Sequence, residues 1–438
     1  MIVYTHTITP RLQYILDFIK KEIFPETIQL TDNQERFKEF TGPKINYSNE
    51  KTAADQFWIK PHQLLFENGI RQQTIICFEA NQYKAIFKTE GDWGFDIFAA
   101  SFYLITRYEE YLPHEKDMYG RYAHQNSLAF HENFLHLPLV NLWLQQFRKE
   151  LQNKFSDLKP DKQVGKAVFQ FIPTYDIDIA FSFRLKGWMR TIGGLFNEII
   201  HGQFKNSRQR VKVITGKEKD PYDSYSWMDE LNKRNNLQPY YFFNVATRRG
   251  RYDKNISPAK RHMSEVIRRH AKKYQVGIHP SWQSGDRPEL VQQEIQTLEN
   301  ITGKKITASR QHYIRFTFPE TFRQLIECGI QSDFSMGYGS INGFRASVAT
   351  AFYWYDLEKE EQTNLLVHPF CFMEANLFFE QKLTPNQALD ELRNYWSVIK
   401  SVNGVMITIW HNTFLGTDDL YKGWREVYGE WIRMISEQ

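Results

Sequence analysis

Long apolar runs are missing from this chain. No stretch of about 18 uncharged apolar residues occurs, so no membrane-spanning helix is expected. The first ten residues, Met-Ile-Val-Tyr-Thr-His-Thr-Ile-Thr-Pro, lack a basic segment leading into an apolar one, and no secretory leader is expected either. Cysteine is scarce. Cys77, Cys328 and Cys371 are odd in number and far apart, which excludes a disulfide framework and fits a reducing compartment. No charge sign dominates: a formal +4 over 438 residues does not suit a dedicated nucleic-acid binder. Internal repeats and low-complexity tracts are absent too. The expected placement is the cytoplasm, with the oligomeric state open.

What is present is a globular composition in a chain too long for one ordinary core, so two domains are expected. The boundary falls in Leu151–Lys166, a polar, lysine-rich stretch with one proline and one glycine. Residues 1–150 then form a smaller mixed α/β domain. Within it, helical spacing of apolar residues marks Arg11–Ile23, Gln73–Phe78 reads as a buried strand, and Phe95–Tyr111 and Leu137–Leu151 read as helices. Arg107, Glu109 and Glu110 read as an ion-pair set on a helix surface. Residues 167–438 change character. Short apolar runs (Ala167–Ile172, Pro239–Phe243, Val276–His279, Ala308–Arg310, Gln331–Asp333, Leu365–His368, Val405–Trp410) alternate with helical stretches. That alternation predicts a parallel α/β architecture, open or closed, with chemistry at the C-terminal ends of the strands.

The polar residues of interest fall at those ends. Thr174-Tyr-Asp176-Ile-Asp178 places two carboxylates at i and i+2, on one side of an extended strand. Like charges so close call for a cation or a shared proton; the competing reading is a loop whose aspartates cap a helix. His279 ends the Val276 run and is a residue type that binds metal, although lone histidines there are often structural. Arg310, in Ser-Arg-Gln-His-Tyr, can hold a carboxylate through its guanidinium, or form a surface ion pair. Asp333 can orient a histidine or cap a turn. His411, after Ile407-Thr-Ile-Trp, is placed as a general acid or a packed core histidine.

In order and spacing, these five motifs resemble the polysaccharide deacetylases, the NodB-homology group of carbohydrate esterases, over about residues 160–438. The resemblance implies a distorted (β/α) barrel of about seven strands and a metal-dependent hydrolase that removes an N- or O-linked acetyl group from a glycan or lipid-linked saccharide. It implies Asp176 as base, Asp178 and His279 as ligands of a divalent metal such as Zn2+, and Arg310 as partner of the base. It also implies the Tyr313 N–H as oxyanion donor, His411 as acid and Asp333 as the residue tuning it. Residues 1–150 resemble an uncharacterised N-terminal module of a bacterial subgroup, which implies no activity.

One departure stands out. The family's second histidine, four residues after the first, is here Gln283, leaving two good metal ligands; His312 and His368 are of the right type to complete the set. The gap motivates an alternative, an inactive barrel that binds a glycan or protein partner. Phe183–Lys217 is a long insertion rich in Arg and Lys. Trp188, Leu195, Ile199 and Ile200 with Lys186, Arg190, His201 and Lys205 form a basic amphipathic pattern that could rest on the inner face of a membrane or pack on the barrel mouth. Tyr175, Trp227, Trp282, Tyr338 and Trp410 could stack on sugar rings or belong to the core.

Overall fold

The computed structural model describes residues 1–23, 28–156, 158, 168–184, 200–201, 204–248 and 250–437. Near the N-terminus, β1 (Ile2–Thr5), β2 (Gln29–Thr31), β3 (Lys44–Tyr47) and β4 (Phe57–Ile59) form a parallel sheet in the order β2-β1-β3-β4. The expected first helix is present as Pro10–Ile23, starting on a proline that needs no N–H partner there. The strand expected at Gln73–Phe78 is not formed. Ile76 points into solvent, and the chain pairs only afterwards, as the hairpin β5 (Phe78–Ala80) and β6 (Tyr83–Ala85).

The helix expected over Phe95–Tyr111 is shorter. Asp96 caps Ile97–Ile105 by accepting from the Phe98 and Ala99 N–H groups, and every residue of that helix is buried. The chain then turns at Arg107, which is left-handed (φ 55°), into a 3-10 turn over Tyr108–Tyr111.

That turn overturns the expected surface ion pairs. The Arg107 guanidinium is buried and donates to Glu110 (2.7 Å), Glu109 (2.7 Å) and the Tyr338 hydroxyl (3.1 Å). Arg345, also buried, donates from Nε to Glu110 (2.8 Å). Burial alone would push the Glu110 carboxyl up; Arg345 and then Arg107 outweigh it and hold it down at about 2. Replacing Glu110 with Gln takes the carboxylate from Arg345 and leaves Arg107 with the carboxylate of Glu109 alone, and a loss of about 3–5 kcal/mol is expected in denaturant unfolding. Because the folded pKa is depressed, the carboxylate's contribution is full above its unfolded value. The gap between wild type and variant should therefore narrow as pH falls from about 4.5 toward 2.

A second sheet occupies the rest of the chain. Its strands are β7 (Gln170–Ile177), β8 (Tyr240–Phe243), β9 (Gln275–Ile278), β10 (Ala308–Ser309), β11 (Ser332–Asp333), β12 (Phe352–Asp356), β13 (Glu361–Val367), β14 (Phe372–Met373) and β15 (Val405–His411). The order is β12-β13-β11-β10-β9-β8-β7-β15-β14, with only the β12–β13 pair antiparallel. The architecture is thus mixed α/β, but no ladder closes the series into the expected barrel among the described residues. Two edge strands, β12 and β14, lie outside the seven expected runs. Helices including Tyr225–Arg234, Arg261–Ala271, Glu289–Thr302, Glu320–Glu327, Pro385–Ser401 and Trp424–Ser436 fall between or after the strands, as the alternation predicts. One apolar core takes side chains from both parts of the chain; Tyr14 and Phe102, for example, pack on Tyr355 with ring centroids 4.9 and 5.3 Å apart.

Register decides what meets at the sheet's C-terminal edge. Ile177, Phe243, Ile278, Ser309, Asp333 and Val367 pair in one row across six strands. The next residue on β7, β9 and β10 is Asp178, His279 and Arg310. His411 pairs with Asp176 across β15 and β7.

Candidate metal centre and catalytic site

Three donors converge at that edge. One ligand atom from each of Asp178, His279 and His312 lies within 4.8 Å of the others. His279 Nε2 stands 3.1 Å from Asp178 Oδ1, and His312 Nε2 stands 3.4 Å from Asp178 Oδ2. Both rings are oriented from behind. His279 Nδ1 donates to the Arg310 carbonyl (2.6 Å), and His312 Nδ1 donates to Asp253 (3.0 Å). A carbonyl or carboxylate can only accept, so each Nδ1 carries a proton and each Nε2 is the ring atom turned toward Asp178.

Asp178 Oδ1 is fully enclosed and accepts no hydrogen bond from a described residue, despite the nearby Nε2. A cation bound between this carboxylate and the two Nε2 atoms would take the place of any proton they share. The carboxylate and two imidazoles fit Zn2+ or a similar ion. Burial would raise the Asp178 carboxyl, but His312 and His279 outweigh it and hold it well below its ordinary value. For His312, burial is outweighed by Asp178 and Asp253, which push it up to about 9.

His312, the third of the converging donors, lies three residues past β10. Gln283, at the position where the family has its second histidine, instead donates to Asp253 (3.3 Å) and to the Arg248 carbonyl (3.0 Å), supporting the residue that orients His312. His368 stacks on Phe334, with centroids 4.3 Å apart, and is not one of the three converging donors.

Around the donors stand the other expected residues. Asp176 is buried, with Oδ2 3.8 Å from His279 Nε2 and Oδ1 accepting from Arg310 Nη1 (3.0 Å). Arg310 is buried too and also donates to Thr174 Oγ1 (2.6 Å) and the Phe334 carbonyl (3.0 Å). His411 Nε2 lies 3.4 Å from Asp178 Oδ2, on the more open side. The Tyr313 N–H donates to no described residue, and Tyr313 itself is left-handed (φ 59°).

Asp333 does not touch His411. It accepts from Ser309 Oγ (2.7 Å), Ser335 Oγ (3.0 Å) and the Ser335 N–H (2.8 Å), and burial pushes its carboxyl up to about 6. The carboxylate on His411 is Glu374, just past β14. Its Oε1 accepts from His411 Nδ1 (2.8 Å) and from the His411 N–H (2.6 Å). Burial would lower His411, but Glu374, with help from Asp178, raises it well above its ordinary value. Of the aromatics, Tyr175, Tyr338 and Trp410 are buried in the core, and Trp227 lies under the Arg425 guanidinium. Trp282 is half-buried beside Tyr252, with centroids 4.7 Å apart. A cavity of about 810 Å3 between residues 130–137 and the Pro385–Ser401 helix contains none of the site's side chains.

Residues 1–156 match a family of unknown function, DUF7033. No curated protein matches the chain. Among solved structures, the chain is similar to a Mycobacterium smegmatis protein described as a polysaccharide deacetylase (13% identity, TM-score 0.40, 61% of this chain and 84% of that one). It is also similar to Puue allantoinase (11% identity, TM-score 0.40, 62% and 86%). A third is a CE4 family pseudoenzyme from Bacillus anthracis (9% identity, TM-score 0.32, 61% and 61%). Likenesses this distant assign no activity; the geometry of the site has to carry the functional reading.

Proposed function

We propose that the chain is a metal-dependent hydrolase that removes an N- or O-linked acetyl group from a glycan or glycolipid. The observation that carries this reading is the convergence of Asp178, His279 and His312 beside Asp176 and His411, with His279, His312, Asp176 and His411 each hydrogen-bonded to a buried group behind it. Asp178, His279 and His312 would hold the ion, and what a divalent cation supplies there is Lewis acidity toward water and a carbonyl oxygen. Asp176, paired to Arg310, takes a proton from the attacking water. The Tyr313 N–H donates to the carbonyl oxygen as it gains charge. His411, with Nδ1–H held by Glu374, gives the proton at Nε2 to the departing nitrogen or oxygen. The carbonyl carbon gains the water oxygen, its bond to the sugar heteroatom breaks, and acetate leaves. The inactive alternative drew on a metal set of two; His312 as a third donor favours the active reading.

The test is direct. Elemental analysis of purified protein should find about one divalent ion per chain. Acetate release from an acetylated saccharide should stop with a chelator and return with Zn2+. Protein that holds no metal and releases no acetate would refute the proposal.

Glu374→Gln is expected to change the pH profile. In the wild type the neighbouring anion keeps His411 protonated above its ordinary value. A reaction needing that proton declines as pH rises through the raised value. Removing the anion should move the alkaline limb of kcat to lower pH.

Residues 1–150 are proposed as a domain in their own right, and the inner membrane face as a surface the insertion meets. Within Phe183–Lys217, residues 185–199 and 202–203, among them Trp188, Leu195, Ile199, Lys186 and Arg190, lie outside the described residues. Ile200, Phe204, Val211 and Ile214 are exposed beside Arg208 and Lys212, which suits an anionic bilayer. Co-sedimentation with phosphatidylglycerol vesicles, and its absence with phosphatidylcholine, would support that contact. No helix among the described residues is long and apolar enough to cross a membrane.

A further inference from the structure

We propose that two residues of the N-terminal part complete the active site: Arg121 positions the oxyanion loop, and Tyr119 forms part of a saccharide-binding face. This rests on the deacetylase reading and gives the N-terminal part a role in it.

The loop after β10 is unusual. Tyr313 and Ile314 are both left-handed (φ 59° and 56°), a conformation a β-branched residue avoids. Such backbone persists where its surroundings impose it. The group that imposes it comes from nearly two hundred residues earlier in the chain. Arg121 is buried and donates from Nη1 to the Tyr313 carbonyl (3.1 Å) and to the Gly339 carbonyl (2.9 Å), while its Nε is held by Asp117 (2.6 Å). The space is shaped for that guanidinium. A Cβ on Gly339 would collide with Arg121 Nη1 and stand 2.9 Å from the Tyr313 oxygen. Holding the carbonyl of Tyr313 fixes the backbone of the residue whose N–H the proposed reaction uses. Arg121 is thus a positioning residue, acting through Tyr313.

On the outer side, Tyr119 extends a run of half-buried rings. It lies 5.2 Å from Tyr313 and 5.8 Å from Tyr252 (centroids), and Tyr252 lies 5.3 Å from Tyr313 and 4.7 Å from Trp282. Tyr313 in turn packs on His312, with centroids 4.7 Å apart. Partly exposed aromatic faces beside a hydrolytic centre suit the C–H face of a hexose ring, with the polar edges left to water. The ligand class this favours is an oligosaccharide, bound with one residue over the metal donors and its neighbours along the rings.

The experiment uses the full-length, metal-loaded protein and the hexamer of N-acetylglucosamine as probe. Binding is read by tryptophan fluorescence and turnover by acetate release. Tyr119→Ala should weaken hexamer binding about tenfold. Met118→Ala, at an exposed neighbour, should leave it unaltered. Arg121→Ala should lower kcat about 10- to 100-fold, with KM and metal content retained. Arg121→Lys should recover part of the loss, and Gly339→Ala, which displaces the guanidinium, should reproduce it. Unchanged hexamer affinity in Tyr119→Ala, or a wild type that binds no hexamer, overturns the saccharide face. Unchanged kcat in both Arg121→Ala and Gly339→Ala overturns the positioning role. A wild type that binds hexamer but releases no acetate refutes the deacetylase reading and the positioning role that rests on it, while leaving the binding face standing.

Discussion

Asp176→Asn is expected to lower kcat for acetate release by about a thousandfold while the protein keeps its metal. Asparagine fills the same volume and can still accept from Arg310 at the distance Asp176 now holds, 3.0 Å. It cannot take a proton from water. Metal content should survive because the three converging donors are Asp178, His279 and His312, and Asp176 Oδ2 is the more distant carboxylate from His279 Nε2 (3.8 Å against 3.1 Å for Asp178). Acetate release and elemental analysis on one preparation separate the roles. Loss of activity with the metal retained assigns Asp176 to proton transfer. Loss of both would make it a ligand, and unchanged turnover would remove the base from the mechanism.

The residues that could be read from the sequence were those fixed by local pattern. Asp176 and Asp178 stand out because a two-residue spacing in a strand puts both on one side, and β7 runs through Ile177 as that argument requires. His279, Arg310 and His411 stand out because each ends an apolar run, and strand ends gather in a parallel sheet. Residues positioned by other elements gave no such signal. His312 could be named by type, but its placement depends on β9 and β10 pairing through Ile278 and Ser309, one row below the site. Glu374 follows a strand of only two residues, too short for any periodicity, so Asp333 stood in its place. Asp253 sits in a loop whose course follows no simple pattern. Arg107 and Glu110 look like a solvated helix face at their spacing; only the left-handed turn at Arg107 and the distant Arg345 carry them inside. The closed barrel belonged to the resemblance rather than to the alternation of strands and helices, which fits an open sheet equally well.

Replacing a donor should have the largest effect of all. Asp178→Asn removes the only anion among the three ligand groups and the partner facing both Nε2 atoms. Loss of bound metal and of turnover is expected together. Asp253→Asn touches only the ring's support and should weaken metal affinity by about 10- to 100-fold without abolishing it. The effect is visible without substrate. An ion that binds only the folded chain stabilises it by about 4 kcal/mol at a thousand times its dissociation constant. Zn2+ should therefore raise the wild-type melting temperature, and a chelator should reverse the rise. Asp178→Asn should show no such response, whereas Asp253→Asn should show one displaced to higher metal concentration. A wild type whose melting temperature ignores Zn2+, Co2+ and chelator alike would mean that the three donors hold no ion, and the hydrolytic reading would fall with the metal.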